Sequence, residues 1–307
     1  MMSNKVLTIF GGSGFVASEI VYKLHNHFNE VRLLTRNITK CNPLKVINNV
    51  DVYLYDPDTP STYSEHLKFS NVVINTVGIL NESKNDTFDN IHYMFAKKIT
   101  DLSKKSSVNK LIHISALNAD IKGPSKYLKS KGKADEYISA QNSNIFTTII
   151  FRPSIVFGEK DSFFNRFANL LKYIPIFPLA CPNSLFSPIY VKDLTSFIEH
   201  AILYEEYDNK ILNITGPKNY RFIDLISFIL KVMNIKRIIL PLNYSLSKLQ
   251  AAIFTILPGK IFTLDNFRSL QIDNITEDGL KGNTCIEDVV PTYLKDKRYE
   301  YDIDNRD

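Results

Sequence analysis

"VLTIFGGSGFVASEIVYKL", residues 6–24, runs from a short apolar stretch through a glycine-rich turn into an apolar pattern of helical period. The first five residues read as a buried strand and Phe15 to Phe28 as a helix. A strand, a glycine turn and a helix at the start of a chain imply a sheet whose strands end where helices begin. The rest of the first half repeats that order. "EVRLLTR", "VDVYLYD", "NVVINTVG", "KLIHISAL" and "FTTIIFRP" read as five further strands. Helical patterns over Thr87 to about Ser106 and over about 125–141 separate the later ones. Continuous apolar strands with helix-length spacers indicate a parallel sheet covered on both faces. After Pro153 the alternation weakens, and "ILNITGP" reads as one more strand returning to the sheet.

The expected fold is therefore α/β, a Rossmann-type doubly wound parallel sheet of six or seven strands with a smaller C-terminal lobe. The expected division is a nucleotide-binding domain over 1–240, carrying inserted lobe segments after about 155, and a C-terminal lobe over 241–307. In that lobe "YSLSKLQAAIFTILPGK" is the clearest amphipathic piece, with Lys248 and Lys260 flanking its apolar residues. That pattern fits core packing first and a partner or membrane-surface contact second.

The composition, 44% apolar and 22% charged over 307 residues, is that of an ordinary globular protein. It excludes collagen-like, disordered and disulfide-scaffold classes. The net charge of +5 fits an anionic partner such as a nucleotide or phospholipid. The lysines are scattered, so nucleic acid is not expected. Cys41, Cys181 and Cys285 lie far apart with no metal-ligand spacing, and they read as reduced thiols with no metal. "MMSNK" leads straight into the first strand, so no signal peptide is expected. No long uncharged apolar run predicts a membrane span.

The turn carries chemistry. Gly11, Gly12 and Gly14, with Ala17 one helical turn on, follow G-x-x-G-x-x-A in a reading that starts from Gly11. One glycine permits the tight turn, and a position without a side chain lets a pyrophosphate approach the backbone. A small residue lets the helix pack close to the strand. Gly11, Gly12, Ser13, Gly14, Phe15 and Val16 are thus the expected phosphate cradle at a helix N-terminus. The second strand ends at Arg36, with no Asp or Glu between Val31 and Asn37. A basic residue there suits a 2′-phosphate, so NADP(H) is favoured over NAD(H).

The second cluster is "HISALNADIKGPSKYLKSK". Tyr127 and Lys131 stand one helical turn apart on one face, and Ser115 closes the fifth strand on the ligand-binding edge. Tyr127 is the expected proton donor or acceptor, Lys131 favours its ionised form and binds the nicotinamide ribose, and Ser115 orients a carbonyl or hydroxyl.

On these motifs the chain resembles the short-chain dehydrogenase/reductase superfamily in its extended, atypical branch. Within it, the chain is similar to the nucleotide-binding accessory subunits of respiratory complex I and their bacterial relatives. The resemblance rests on "GGSGFVA", "NTVGIL", "HISALNADIKGPSKYLKSK", "RPSIVFGEKDSFFNRFA", "SPIYVKDL" and "LPGKIFTLDNFRSLQIDN". It implies Asp56 at the adenine, Asn75 and Gly78 along the cofactor, and Pro153 and Ser154 near the nicotinamide. It also implies a nucleotide held for structure or assembly, with complex I subunits or a membrane surface as partners. The implied place is cytoplasmic, or peripheral on the inner membrane or its matrix equivalent. The alternative is an NADP-dependent oxidoreductase or epimerase-type enzyme using Ser115, Tyr127 and Lys131 on a carbonyl or quinone-related substrate. Two positions depart from active relatives: His92 stands where an Asn relays protons, and Phe95 where a small residue is kept. The cofactor reading survives both, but a proton relay does not follow from it.

Overall fold

The computed structural model describes residues 5–257 and 262–295; Lys260, expected to flank the amphipathic helix, lies outside them. The described residues form two compact units, one running up to Arg152 and taking in Leu194–Leu212, the other made of Pro153–Asp193 and the chain from Asn213 on. The boundaries fall at 152, 193 and 212, and none falls at 240.

The first unit opens with β1 (Val6–Phe10), α1 (Phe15–Leu24), β2 (Glu30–Thr35) and β3 (Val50–Leu54). The short α2 (Ser61–Ser64), β4 (Val72–Asn75), a π-helical turn (Asp89–Met94) and α3 (Phe95–Lys105) follow. Then come β5 (Lys110–Ile114), α4 (Lys126–Ser139) and β6 (Thr147–Pro153), whose last residue belongs to the second unit. The α4 start is set by Ser125, whose side chain accepts the Leu128 N–H at 3.1 Å.

The second unit holds β7 (Val156–Phe157), α5 (Phe164–Tyr173), β8 (Ile176–Leu179), β9 (Leu185–Phe186) and β10 (Ile189–Tyr190). The chain returns to the first unit along α6 (Val191–Leu203) and leaves it within β11 (Ile211–Thr215). The remainder is β12 (Tyr220–Arg221), α7 (Phe222–Met233), β13 (Ile238–Pro241), α8 (Tyr244–Ile256), α9 (Leu264–Ser269), β14 (Leu280–Lys281) and α10 (Ile286–Leu294).

The main sheet has eight strands in the order β14-β11-β6-β5-β4-β1-β2-β3 and is parallel. The eighth strand, β14, goes beyond the six or seven expected. It pairs through only Leu280 and Lys281, too short for an apolar pattern to announce it. The order reverses between β1 and β4, the switch point where such sheets bind ligands. All of β1 and β4 is buried, as strands covered on both faces must be. One face packs Phe10, Val73, Leu111 and Ile150 against Phe95 and Ile99 of α3 and Ile138 of α4. The second unit has its own phenylalanine-rich core, including Phe157, Phe164, Phe177 and Phe222. No helix among the described residues is long and apolar enough to cross a membrane.

Candidate functional site

The glycine turn is built by its hydrogen bonds. Gly11 N–H and Gly12 N–H both donate to Leu34 O, at 3.1 and 3.0 Å, and Gly14 N–H donates to Gly11 O at 2.8 Å. Gly11 has φ +84°, and a Cβ there would stand 2.6 Å from Thr76 Oγ1. Only glycine meets both conditions. α1 starts at Phe15 with no side chain capping it, and its first i→i−4 bond is Ser18 N–H to Gly14 O. The N–H groups of Phe15, Val16 and Ala17 therefore precede the helical ladder and point out of its positive end. Ala17 is fully buried, as close packing of α1 requires. An anion fits this cradle.

Arg36 follows β2. Its Nη1 donates to both oxygens of Asp86, at 2.9 and 3.0 Å. Sequence reasoning missed Asp86, which lies fifty positions away on a loop. Asp56, two residues beyond β3, is exposed. Its oxygens accept from Asp58 N–H and Thr59 Oγ1–H, which hold its carboxyl below the usual range.

Asn75 ends β4 turned inward. Its Oδ1 accepts the Val77 N–H at 3.0 Å, and its amide donates to His113 Nδ1 at 3.1 Å. It thus shapes the turn leading to Gly78. Gly78 is exposed, and a Cβ on it would lie 3.5 Å from Lys131 Nζ and 3.7 Å from His92 Nε2.

Ser115, Tyr127 and Lys131 are gathered beside that turn. Lys131 is buried, and its Nζ donates to Ile114 O at 3.0 Å, one residue before Ser115. Burial lowers its ammonium to about 8, with the nearby Asp135 carboxylate opposing. Two ammonium protons remain beyond the Ile114 bond, beside the open Gly78 backbone, where a ribose hydroxyl fits. Ser115 Oγ is buried without a hydrogen-bond partner. It lies beside Asp135, whose Oδ1 is equally unpartnered, and its hydroxyl helps to lower a carboxyl that burial raises.

Tyr127 is half-buried and packs edge-on against His92 and Phe88, at ring separations of 5.3 and 5.6 Å. Its phenol is pushed up to about 12, by burial first and by Asp135 second. The ionised form that Lys131 is expected to favour is opposed first by burial of the phenol and second by the Asp135 carboxylate, four residues beyond Lys131 on the same helical face.

Asp135 accepts from Arg152 Nε at 2.7 Å, and burial raises its carboxyl despite that cation. The i, i+4, i+8 spacing of Tyr127, Lys131 and Asp135 was the available sequence signal for it.

His92 sits in the π-helical turn with both nitrogens engaged. Nε2 accepts the Ile79 N–H at 3.0 Å, so the proton is on Nδ1, which donates to Ser130 Oγ at 2.9 Å. Ser130 in turn donates to Tyr127 O at 2.8 Å. Burial, with Lys131 and His113 adding, pushes the imidazole down to about 2. A histidine so held pins the β4 loop to α4 and stays neutral. Phe95 stacks on Tyr55 at 5.4 Å and meets Phe10 and Tyr63 edge-on, filling core space. His113, missed in the sequence, is fully buried on the face that carries Ser115. Its Nδ1 accepts from Asn75, so Nε2 bears the proton and has no partner.

Pro153 and Ser154 belong to the second unit. There Ser154 N–H donates to Ile214 O at 2.9 Å, and its hydroxyl donates to Asn274 Oδ1 at 2.6 Å. Among the described residues no three His, Cys, Asp or Glu side chains gather as a metal site.

An NAD(P)H-binding family matches residues 11–162, and the 3-beta hydroxysteroid dehydrogenase/isomerase family matches residues 118–220. The chain is 28% identical to NADH dehydrogenase [ubiquinone] 1 alpha subcomplex subunit 9, mitochondrial, of Mus musculus, over 97% of this chain and 80% of that protein. With the Arabidopsis thaliana protein of the same name it shares 25% identity, over 99% and 79%. Among solved structures, MoeE5 in complex with UDP-glucuronic acid and NAD matches with TM-score 0.74 at 14% identity, over 96% of this chain and 99% of that one. A UDP-glucuronic acid 4-epimerase from Bacillus cereus, in complex with UDP-glucuronic acid and NAD, gives TM-score 0.71 at 16% identity, over 95% and 99%. At those identities the structures show the fold alone.

Proposed function

We infer, for a chain that is an NAD(P)H-binding protein of short-chain dehydrogenase/reductase type and a homologue of complex I subunits, that it holds its dinucleotide mainly for structure or assembly, in association with respiratory complex I. The pyrophosphate lies on Gly11 to Val16, and Lys131 takes the nicotinamide ribose. Arg36 supports NADP(H) as the form bound, with the adenine beyond β3 near Asp56. Asn75 and Gly78 shape the wall beside the nicotinamide. A protein without a membrane-crossing helix among its described residues fits a peripheral place on such a complex.

The observation that carries the reading is the state of the proton-handling groups. A bound nicotinamide would supply hydride chemistry, and an enzyme must then move a proton at Tyr127. The Tyr127 phenol is raised to about 12, and His92, its neighbour, is locked neutral between Ile79 and Ser130. A general acid–base performs best with a pKa near the working pH, and neither group has one.

The test is NADPH binding to purified protein beside turnover against a panel of quinones and carbonyls, with Tyr127→Phe as control. Tight binding with turnover far below the roughly 1 s⁻¹ of ordinary enzymes is expected. Turnover of a defined substrate that Tyr127→Phe abolishes would replace this reading with the oxidoreductase or epimerase one. The convergence of Ser115, Tyr127 and Lys131 is what favours that second reading.

A further inference from the structure

The face of α4 that packs on the sheet is apolar at Leu128, Ala134 and Ile138 and charged at Lys131 and Asp135, all of them buried. A carboxylate is costly to take out of water unless it is paired, so its place in this stripe calls for a reason. The sheet supplies one partner. β5 and β6 run parallel with Ile114 opposite Phe151, so the next residues, Ser115 and Arg152, stand side by side. Strand alternation puts them on the face of Leu111 and Ile150, which α3 and α4 cover. From there Arg152 Nε donates to Asp135 Oδ2 at 2.7 Å. Asp135 Oδ1, equally buried, accepts no hydrogen bond. One turn back along the helix, Lys131 Nζ is bonded to a neutral acceptor, Ile114 O at 3.0 Å. Its ammonium is therefore balanced through space rather than by a contact ion pair.

The other groups around Lys131 do not balance it. His92 of the π-helical turn and His113 of β5 are pushed down by burial, His92 to about 2, and stay neutral. The Tyr127 phenol, pushed up to about 12, stays neutral as well. Arg152 is a second cation. The Asp135 carboxylate acts on both members of the Tyr–Lys pair. It favours the ammonium of Lys131 against the burial that lowers it, and it opposes ionisation of Tyr127. A charged lysine beside a neutral phenol suits a ribose clamp and not an acid–base pair.

We propose that Asp135 is a positioning residue for the nucleotide: its buried carboxylate, fixed by Arg152, is the internal counter-charge that keeps Lys131 an ammonium for the ribose. This deepens the nucleotide-holding function above and rests on Lys131 as the ribose contact. An ammonium keeps two donors beyond the Ile114 bond, whereas an amine keeps one and loses the added strength of a charged donor.

The test is NADPH affinity of the full chain, by fluorescence titration from about pH 6 to about pH 9, with circular dichroism as the check on folding. The parent should bind evenly at the acid end and weaken as pH rises through about 8. Asp135→Asn should weaken from a lower pH, with the gap to the parent growing to about tenfold at the alkaline end. Lys131→Met should bind weakly with a flat comparison across pH, and adding Asp135→Asn to it should change nothing further. Parallel profiles for Asp135→Asn and the parent would overturn the proposal. So would tighter binding at every pH, which loss of a carboxylate near an anionic ligand gives by itself, or an equal loss in the Lys131→Met background. If Asp135→Asn alone does not fold, the double variant decides: recovery of the fold once Lys131 is also uncharged supports a counter-charge, and no recovery overturns it. Lys131→Met that binds like the parent would defeat the ribose contact itself. A weakened Lys131→Met beside an unaltered Asp135→Asn would defeat only the role of Asp135.

Discussion

Arg36 does not wait alone for a phosphate, because Asp86 already holds one edge of its guanidinium. The pair is partly exposed, so its own stability contribution is small, but it competes with any anion that Arg36 binds. Arg36→Asp should weaken NADPH by about 1.5–3 kcal/mol, the range of a charged hydrogen bond, and leave NADH nearly unchanged. Asp86→Asn should tighten NADPH by a few-fold. Titration of both dinucleotides by NAD(P)H fluorescence checks this, and equal effects on the two would remove Arg36 from the 2′-phosphate. The residue scale also shows why the site was only half legible. Ser115, Tyr127 and Lys131 could be read because a strand end and a one-turn helical spacing fix them. Asp86 and His113 could not, since their partners are set by a loop and by the register Asn75↔His113. The direction of the Tyr127 shift is set first by burial of its phenol and then by the Asp135 carboxylate, neither of which spacing alone reports. Burial also makes a pH prediction at His92. Its folded pKa is depressed to about 2 from 6.5, so below 6.5 the unfolded chain takes a proton that the fold refuses. This contribution to stability is complete above pH 6.5 and is lost as pH falls toward 2. Between pH 7 and pH 5 it amounts to about 2 kcal/mol. Asp135 and Asp161 are raised by burial and act in the opposite direction, so the comparison must be made against a variant. Urea unfolding of His92→Gln should show an acid-induced loss smaller than wild type by about that amount. Identical losses would mean the imidazole is not held neutral.

At the scale of elements, α4 delivers the site and one glycine positions it. A Cβ on Gly132 would stand 2.4 Å from Asp120 C and 2.5 Å from Ile121 N, both backbone atoms. The helix therefore lies directly on the loop that follows β5. Gly132→Ala must push α4 away, at about 1–3 kcal/mol for overpacking, and carries the adjacent Lys131 with it. Thermal unfolding and NADPH affinity should both fall. Gly78→Ala makes a useful contrast, because its Cβ meets Lys131 Nζ at an ordinary 3.5 Å. It should leave the fold intact and weaken only the nucleotide. The sequence pattern found α4 to within a residue or two because capping and periodicity are local. It could not show the π-helical turn at Asp89–Met94, where the His92 bonds to Ile79 and Ser130 come from two other segments. Phe95 reads as a departure in the sequence and as packing in the structure. The aromatic cluster it completes with Phe10, Tyr55 and Tyr63 is assembled from three elements and the residue that follows β3.

For the whole molecule, a ligand that binds only the folded form adds RT ln(1 + [L]/Kd), about 2.7 kcal/mol at a hundredfold excess over Kd. For a chain of this length NADPH should raise Tm by several degrees, at roughly 2 °C or a little more per kcal/mol. A scan with and without nucleotide checks it, and no shift at saturation would count against a structural role. Removing the chain after 240 would be a poor test of docking. It deletes α10, whose Ile286, Val290 and Leu294 belong to the second unit's core, so surface substitutions are the sound route. The two units also interleave, with crossings at 152, 193 and 212. That arrangement bears on biosynthesis. As the chain leaves the ribosome, the first unit's strands β1 to β6 emerge together, but α6 and β11 come only after a segment that belongs to its neighbour. The glycine turn at Gly11 to Gly14 is made first and its sheet is finished much later. No single cut of the gene yields either unit whole, so the protein is inherited, expressed and folded as one piece.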